Sequence, residues 1–447
     1  MRVWTGVRLG VGMAGWSRRY QVGPGVTGGV IPPAVQECDK LLIGSMLAGS
    51  TVVVNRGGPA ADSGWCCRGI DLPEGGNILS AVAVRIRFHD VGGELRRYEV
   101  GAGEALRRVI SSGQFVLGPE LEAFEQEFAR FLGVAHAVGT NSGTDALVLT
   151  LEALGIGRGD EVVTTPFSFF ATAEAVMRTG AVPVFADIEP ETLCLAPDAV
   201  EPAVTPRTRA VVLVHIFGHC TDIDRIQAVC RRHNLLLIED ACQAVGATWQ
   251  GRRLGTFGIA SCFSFYPTKN LACLGDGGAI ATGDGRLAQR LRELRVHGRG
   301  SSGYVRPGYN SRLDELQAAF LRHCLPELEA ANSRRQALAV RYDVELPRQL
   351  RRVRGAAGCS SSYHQYAVLT PDRDRLREHL AERGVETGVY YATPLHREPA
   401  LAGRVKQSLP QAEVACREVL SLPIRPSLTD EEQTYIISSV AEFFGNG

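Results

Sequence analysis

The chain has 447 residues, 45% hydrophobic and 21% charged, an ordinary globular balance in a length that suits two packed units. Its 48 basic residues match 48 acidic ones, so no charge excess points to nucleic acid or an anionic membrane surface. No run approaches the ~20 apolar residues of a membrane span, no apolar core follows the early arginines, and the twelve cysteines lack zinc-site spacing. Together these predict a cytoplasmic protein with reduced thiols and no metal.

Residues 1–83 differ from the rest. They hold Trp4, Trp16 and Trp65, three of the four tryptophans, and glycine or proline interrupts every apolar run. No helical or alternating period lasts two turns. The segment reads as a disordered leader, or as upstream sequence translated from a start placed too early, rather than as a regulatory arm.

From Val84 the pattern becomes regular. Short β-branched runs predict strands at 135–139, 161–165, 183–187, 210–215, 235–240, 260–265 and 279–282. Amphipathic stretches between them predict helices at 144–154, 170–179, 222–232 and 285–296. This alternation predicts an α/β domain over 84–330 with a mostly parallel, seven-stranded sheet. A stretch from 314 to 342 reads as one long helix or two, interrupted near Pro326. Strands at 363–370 and 385–391, with helices at 372–383, 411–420 and 429–444, predict a small C-terminal α+β domain over 331–447.

In such sheets ligands gather at the carboxyl ends of strands. Asn141-Ser142-Gly143-Thr144-Asp145 opens a helix, where free N–H groups and the helix dipole suit a phosphate, although the same residue types serve as ordinary N-caps. Pro166-Phe167-Ser168-Phe169-Phe170 follows another strand, and an aromatic there can stack on a flat ring or join the core. Asp240 ends the strand Leu236-Leu237-Ile238-Glu239, with Gln243 three residues on. An aspartate there can hold a pyridinium proton, or simply cap the next helix.

The whole chain contains only three lysines, Lys40, Lys269 and Lys406. Lys269 lies five residues after Ser264, in Phe263-Ser264-Phe265-Tyr266-Pro267-Thr268-Lys269-Asn270, at the end of a further strand. An amine can lose its proton and attack a carbonyl; a guanidinium cannot. Phosphate cup, ring-nitrogen carboxylate, stacking aromatic and Schiff-base lysine together describe a site for pyridoxal phosphate. His215 and His219 flank Phe217-Gly218 without further metal ligands and read as structural. His297 and Arg299 suit a helix C-terminus, with His297 also a candidate for the substrate pocket.

From about Phe88 to Phe444 the chain resembles the DegT/DnrJ/EryC1/StrS family of nucleotide-sugar aminotransferases. The resemblance rests on Gly113-Gln114-Phe115-Val116-Leu117-Gly118-Pro119-Glu120, Asn141 to Leu147, Ile238 to Gly246 and Phe263 to Asn270. It continues in Gly275-Asp276-Gly277-Gly278, Gly308-Tyr309-Asn310-Ser311-Arg312, Tyr391 to His396 and Leu420-Ser421-Leu422-Pro423. It implies a PLP-dependent transferase of fold type I, aspartate aminotransferase-like, working as a homodimer with active sites at the interface. By the same resemblance Lys269 forms the Schiff base, Asp240 pairs with the pyridine nitrogen, and Gln243 lies near the ring hydroxyl. Phe170 stacks on the ring, Gly143, Thr144 and Ser264 take the phosphate, Asp145 is a further cofactor-binding residue, and Asn310 reaches the phosphate from the other subunit. Gly113, Phe115, Arg312, Tyr390 and Tyr391 map to the sugar-nucleotide contacts. Tyr390-Tyr391-Ala392-Thr393 departs from the His-Tyr-Pro run of many relatives.

The reaction expected is a ping-pong transamination, from glutamate to a UDP- or dTDP-linked keto-sugar, with a 3-keto substrate favoured over a 4-keto one. Arg312 is weighed as a ligand for the anionic donor or diphosphate against an ion pair with Asp314 or Glu315. The alternatives are a sugar dehydratase of the same family, against which Lys269 argues, and a non-catalytic cofactor- or sugar-binding regulator. A pure binder has no use for a nucleophilic amine.

Overall fold

Seven strands form the central sheet: β1 (His136–Thr140), β2 (Glu161–Thr164), β3 (Val182–Phe185), β4 (Thr208–Val214), β5 (Leu236–Asp240), β6 (Ala260–Ser264) and β7 (Gly278–Thr282). The computed structural model describes residues 86–401 and 408–445, so the expected leader at 1–83 lies outside the described residues. The strand order is β1-β7-β6-β5-β4-β2-β3. β3, β2, β4, β5 and β6 pair in parallel, and β7 alone runs against its neighbours, β6 and β1.

Consecutive strand residues point to opposite faces, and here both faces are covered. Val212, Ile238, Cys262 and Ile280 pack one way, against α3 (Gly143–Ala153), α4 (Ala171–Arg178) and α6 (Gly285–Leu294). Val211, Leu237 and Phe263 pack the other way, against α2 (Pro119–Leu132), α5 (Ile223–Arg232) and α7 (Glu315–Cys324). Each such side chain withdrawn from water contributes roughly 1.5–3 kcal/mol. The helices start where the sequence supplies an acceptor: Ser142 takes the N–H of Asp145, Asp222 that of Arg225, and Asp284 those of Arg286 and Leu287. Three helices ahead of β1, a short one at Val91–Arg96, α1 (Glu99–Ser112) and α2, were not among those predicted.

Pro326 does break the long helical stretch. α7 gives way to a 3-10 turn at Leu325–Glu327, and α8 (Leu328–Glu345) follows, running across the expected boundary at 330/331. A second, antiparallel sheet has the order β8 (Arg351–Arg352), β9 (Tyr366–Leu369), β10 (Val419–Leu422). Helices α9 (Arg373–Glu382), α10 (Pro410–Glu418) and α11 (Asp430–Gly445) complete this region.

Two expectations fail here. The run 385–391 makes only single bridges, Val385 to Ile86 and Gly388 to Ser421. A Cβ on Gly388 would lie 2.4 Å from the Tyr390 ring and 2.8 Å from Phe88, so the backbone passes too close to its neighbours to form a regular strand. The strand is supplied instead by Val419–Leu422, four buried residues in sequence that the predicted helix over 411–420 had partly absorbed.

Candidate active site

The carboxyl ends of β5 and β6, the start of α3 and the loop before α4 meet in a cavity of about 620 Å³. That volume suits a cofactor with part of a substrate. Gly143, Thr144, Asp240, Gln243, Ser264, Lys269, Tyr390 and Tyr391 all line it. Another cavity, of about 650 Å³, lies beside Glu125 and Arg295, whose charges are already paired with each other.

Asp240 is buried and both its oxygens are engaged. Oδ1 accepts the N–H of Cys242 at 3.3 Å and Oδ2 the hydroxyl of Thr172 at 2.8 Å. Thr172 is itself bonded to Ser168 at 2.9 Å. On the opposite face of β5, Glu239 is fully buried and accepts His215 Nε2 at 2.9 Å and the N–H groups of Gly255, Phe257 and Gly258. Burial is the largest influence on Glu239 and would raise its pKa, but His215 and those N–H groups outweigh it and hold the carboxyl below its usual range. His215 is therefore part of the strand's foundation, while His219 is buried edge-on against Tyr363.

Lys269 sits in a turn, its N–H bonded to Tyr266 O at 2.8 Å. Asn270 anchors that turn by donating to Asn332 Oδ1 and Ser362 O, each at 2.8 Å. Burial lowers the Lys269 pKa, only partly opposed by Cys242 and Asp240. The amine is thus biased toward its neutral, nucleophilic form.

Gln243 Oε1 accepts the N–H of Phe217 at 2.8 Å, which fixes the amide so that Nε2 donates to the Tyr391 hydroxyl at 3.2 Å. The Phe169 and Tyr391 rings lie 6.2 Å apart on the cavity wall. Phe169 is the exposed aromatic there; Phe170 turns instead into the apolar cluster around Phe167 and Phe185. Phe170, expected to stack on a ring, thus does not line this cavity; α4 begins at Ala171, and Phe169 takes the place on the wall.

At the phosphate end, the N–H groups that open α3 point outward without carbonyl partners in the helix. A Cβ on Gly143 would lie 2.8 Å from both Cys242 Sγ and Ser264 Cβ, so glycine keeps this cradle open. Asp145 does not line the cavity; its N–H is taken by Ser142, and Ser142 lines the wall instead. These residues fit pyridoxal phosphate: an anion cradle, a fixed carboxylate and a half-buried amine facing one space.

Four predicted residues stand elsewhere. Gly113, Phe115 and Asn310 are exposed and Arg312 half-buried, and none lines this chain's cavity. Arg312 pairs with neither Asp314 nor Glu315; Glu315 is buried and accepts the N–H groups of Gly118, Glu120 and Leu121 at the start of α2. His297 is exposed and away from the cavity. Thr172, His89, His364 and Gln365 were missed. They come from distant segments, and no local motif marks them.

The family model described as the DegT/DnrJ/EryC1/StrS aminotransferase family matches residues 100–441. The chain belongs to this family. It is 44% identical to the dTDP-3-amino-3,4,6-trideoxy-alpha-D-glucose transaminase of Streptomyces venezuelae, over 80% of this chain and 96% of that one. It is 42% identical to the pleiotropic regulatory protein of Geobacillus stearothermophilus, over 76% of this chain and 93% of that one. The crystal structure of S. venezuelae DesV in complex with a ketimine intermediate superposes with a TM-score of 0.79 at 45% identity, covering 80% of this chain and 98% of that one. The chain is accordingly an aminotransferase of fold type I that depends on pyridoxal phosphate. Among the described residues no helix is long and apolar enough to cross a membrane.

Proposed function

We propose that the enzyme moves an amino group from an amino acid, glutamate, to a keto-sugar nucleotide linked to UDP or dTDP, with the keto group at C3. The observation that carries this reading is the pairing in one cavity of the half-buried Lys269 amine, its pKa lowered by desolvation, with a doubly hydrogen-bonded carboxylate, Asp240. Relatives named for dTDP- and UDP-linked 3-amino or 3-oxo sugars support the substrate class.

When bound, pyridoxal phosphate supplies an aldehyde that takes up the amino group and a ring that accepts an electron pair. Asp240, oriented by Thr172 and the Cys242 N–H, would pair with the protonated ring nitrogen. Gly143, Thr144 and Ser264 bind the phosphate. The Lys269 amine, its pKa lowered by desolvation, would accept the proton lost from the donor's α-carbon and return it in the course of the transfer. Tyr391 and Gln243 close the wall beside Phe169, and Tyr390 reaches toward the sugar.

The chain works as a homodimer in the cytoplasm on this reading. Asn310, with Gly113, Phe115 and Arg312, serves the cavity of the opposite subunit, and residues 84–330 and 331–447 act as large and small domains. The test is incubation with cofactor, glutamate and a panel of 3-keto and 4-keto UDP- and dTDP-sugars, read by mass spectrometry. Amination of a 3-keto member is expected. Failure to aminate any member, with no conversion of glutamate to 2-oxoglutarate, overturns the proposal.

A further inference from the structure

Behind the Lys269 turn lies a second, small cavity of about 50 Å³. It meets the main cavity at His89, Thr268, Lys269 and His364, which line both. Its volume excludes a sugar or a nucleotide, yet it exceeds the space one water needs.

Arg335, on α8, forms part of its wall. Arg335 is only 7% exposed, and its Nε and one terminal nitrogen are buried without a hydrogen-bond partner. Among the described residues it makes no ion pair. The neighbouring acids are already engaged, Asp90 with Arg87 and Glu94 with the N–H of Ser427; of the other arginines in the wall, Arg425 pairs with Glu432 and Arg97 lies over the Tyr98 ring. Burial pushes the guanidinium down to about 10, which still leaves it charged at neutral pH. Burial likewise lowers His89 to about 4 and drives His364 well below its usual range, so neither adds a competing positive charge there. A buried, unpaired guanidinium is costly unless something anionic arrives to meet it. Arginine presents a planar fork suited to a carboxylate.

We infer that Arg335 receives a carboxylate of the amino-acid donor, through the small cavity that opens beside Lys269. The inference rests on the reading that the donor is an amino acid. It separates two jobs: on that reading Arg312 serves the opposite subunit's cavity, whereas Arg335 stands beside Lys269 of its own chain.

The test compares Arg335→Gln and Arg335→Lys with the unaltered holoenzyme, following loss of cofactor absorbance on addition of L-glutamate or L-alanine. The half-saturating glutamate concentration is expected to rise at least tenfold in Arg335→Gln and to recover partly in Arg335→Lys. The half-saturating amino-sugar nucleotide in the reverse direction should change less than twofold. A rise for both amino acids places the α-carboxylate at Arg335; a rise for glutamate alone places the side-chain carboxylate there.

Binding of glutarate to the full chain without cofactor, read as a shift in melting temperature, provides a second measurement. The shift is expected in the unaltered protein and lost in Arg335→Gln. An equal shift from chloride or inorganic phosphate, with unchanged glutamate saturation in Arg335→Gln, overturns the assignment in favour of an inorganic anion. A holoenzyme that glutamate converts normally with or without Arg335 overturns this inference alone. A holoenzyme that no amino acid converts overturns the proposed function with it.

Discussion

The hydroxyl of Thr172 donates to Asp240 Oδ2 at 2.8 Å, linking the first turn of α4 to the end of β5. Asp240 thus has its direction set from a neighbouring helix as well as from its own strand. Replacing Thr172 with valine keeps the shape and removes the donor. Hydrogen bonds to charged groups contribute about 1.5–3 kcal/mol, so turnover in Thr172→Val is expected to fall roughly ten- to hundredfold. Steady-state kinetics checks this, and an unchanged kcat would deny Thr172 its positioning role.

Lys269→Arg is expected to abolish the visible absorbance of bound cofactor and to lower turnover at least ~100-fold, the scale of a lost general base. A surviving absorbance band would show that another group holds the cofactor.

The lowered Lys269 pKa also has a signature without cofactor. Between that lowered value and the ordinary 10.5, the unfolded chain holds a proton that the folded chain does not. Stability should therefore rise with pH across this window, and Lys269→Met should remove that slope. Denaturant titrations of the cofactor-free protein at several pH values measure both.

Phe169 and Phe170 separate cavity from core. Phe169→Ala is expected to weaken cofactor binding with little change in melting temperature, since its ring is 57% exposed. Phe170→Ala should instead destabilise the fold by about 2 kcal/mol, part of the usual cost of deleting a core phenylalanine. Equal effects of the two on cofactor affinity would contradict this division.

The buried His215–Glu239 pair supports the strand that carries Asp240. Glu239→Ala leaves His215 and three N–H groups without their acceptor, and a loss of about 3–5 kcal/mol is expected. Because the Glu239 pKa is held below its ordinary 4.5, its contribution is present above that pH and is lost as pH falls through the lowered value. Acid unfolding curves of the two proteins should converge at low pH.

Much of the fold was legible because β-branched runs and helical periods mark alternating layers directly. Lys269, Asp240, Gln243 and Ser264 stood out at the ends of such runs, and the structure gathers them around one space. The sequence could not choose between adjacent phenylalanines, since the choice turns on where α4 begins. It mistook 385–391 for a strand because Gly388 is crowded by the Tyr390 ring and by Phe88, three hundred residues away. Thr172, His364 and Arg335 act through contacts between remote segments, which no local spacing encodes.

The Asn270 amide is held by Asn332 and by the backbone of Ser362, both on segments that contribute no predicted cofactor ligand. The seat of Lys269 is thus fastened from downstream. A chain that ended after α7 would still carry Lys269, Asp240, Gln243 and Ser264, yet the turn bearing the amine would have lost its mooring. The cavity wall likewise needs His364, Gln365, Tyr390 and Tyr391 from that same downstream part of the chain.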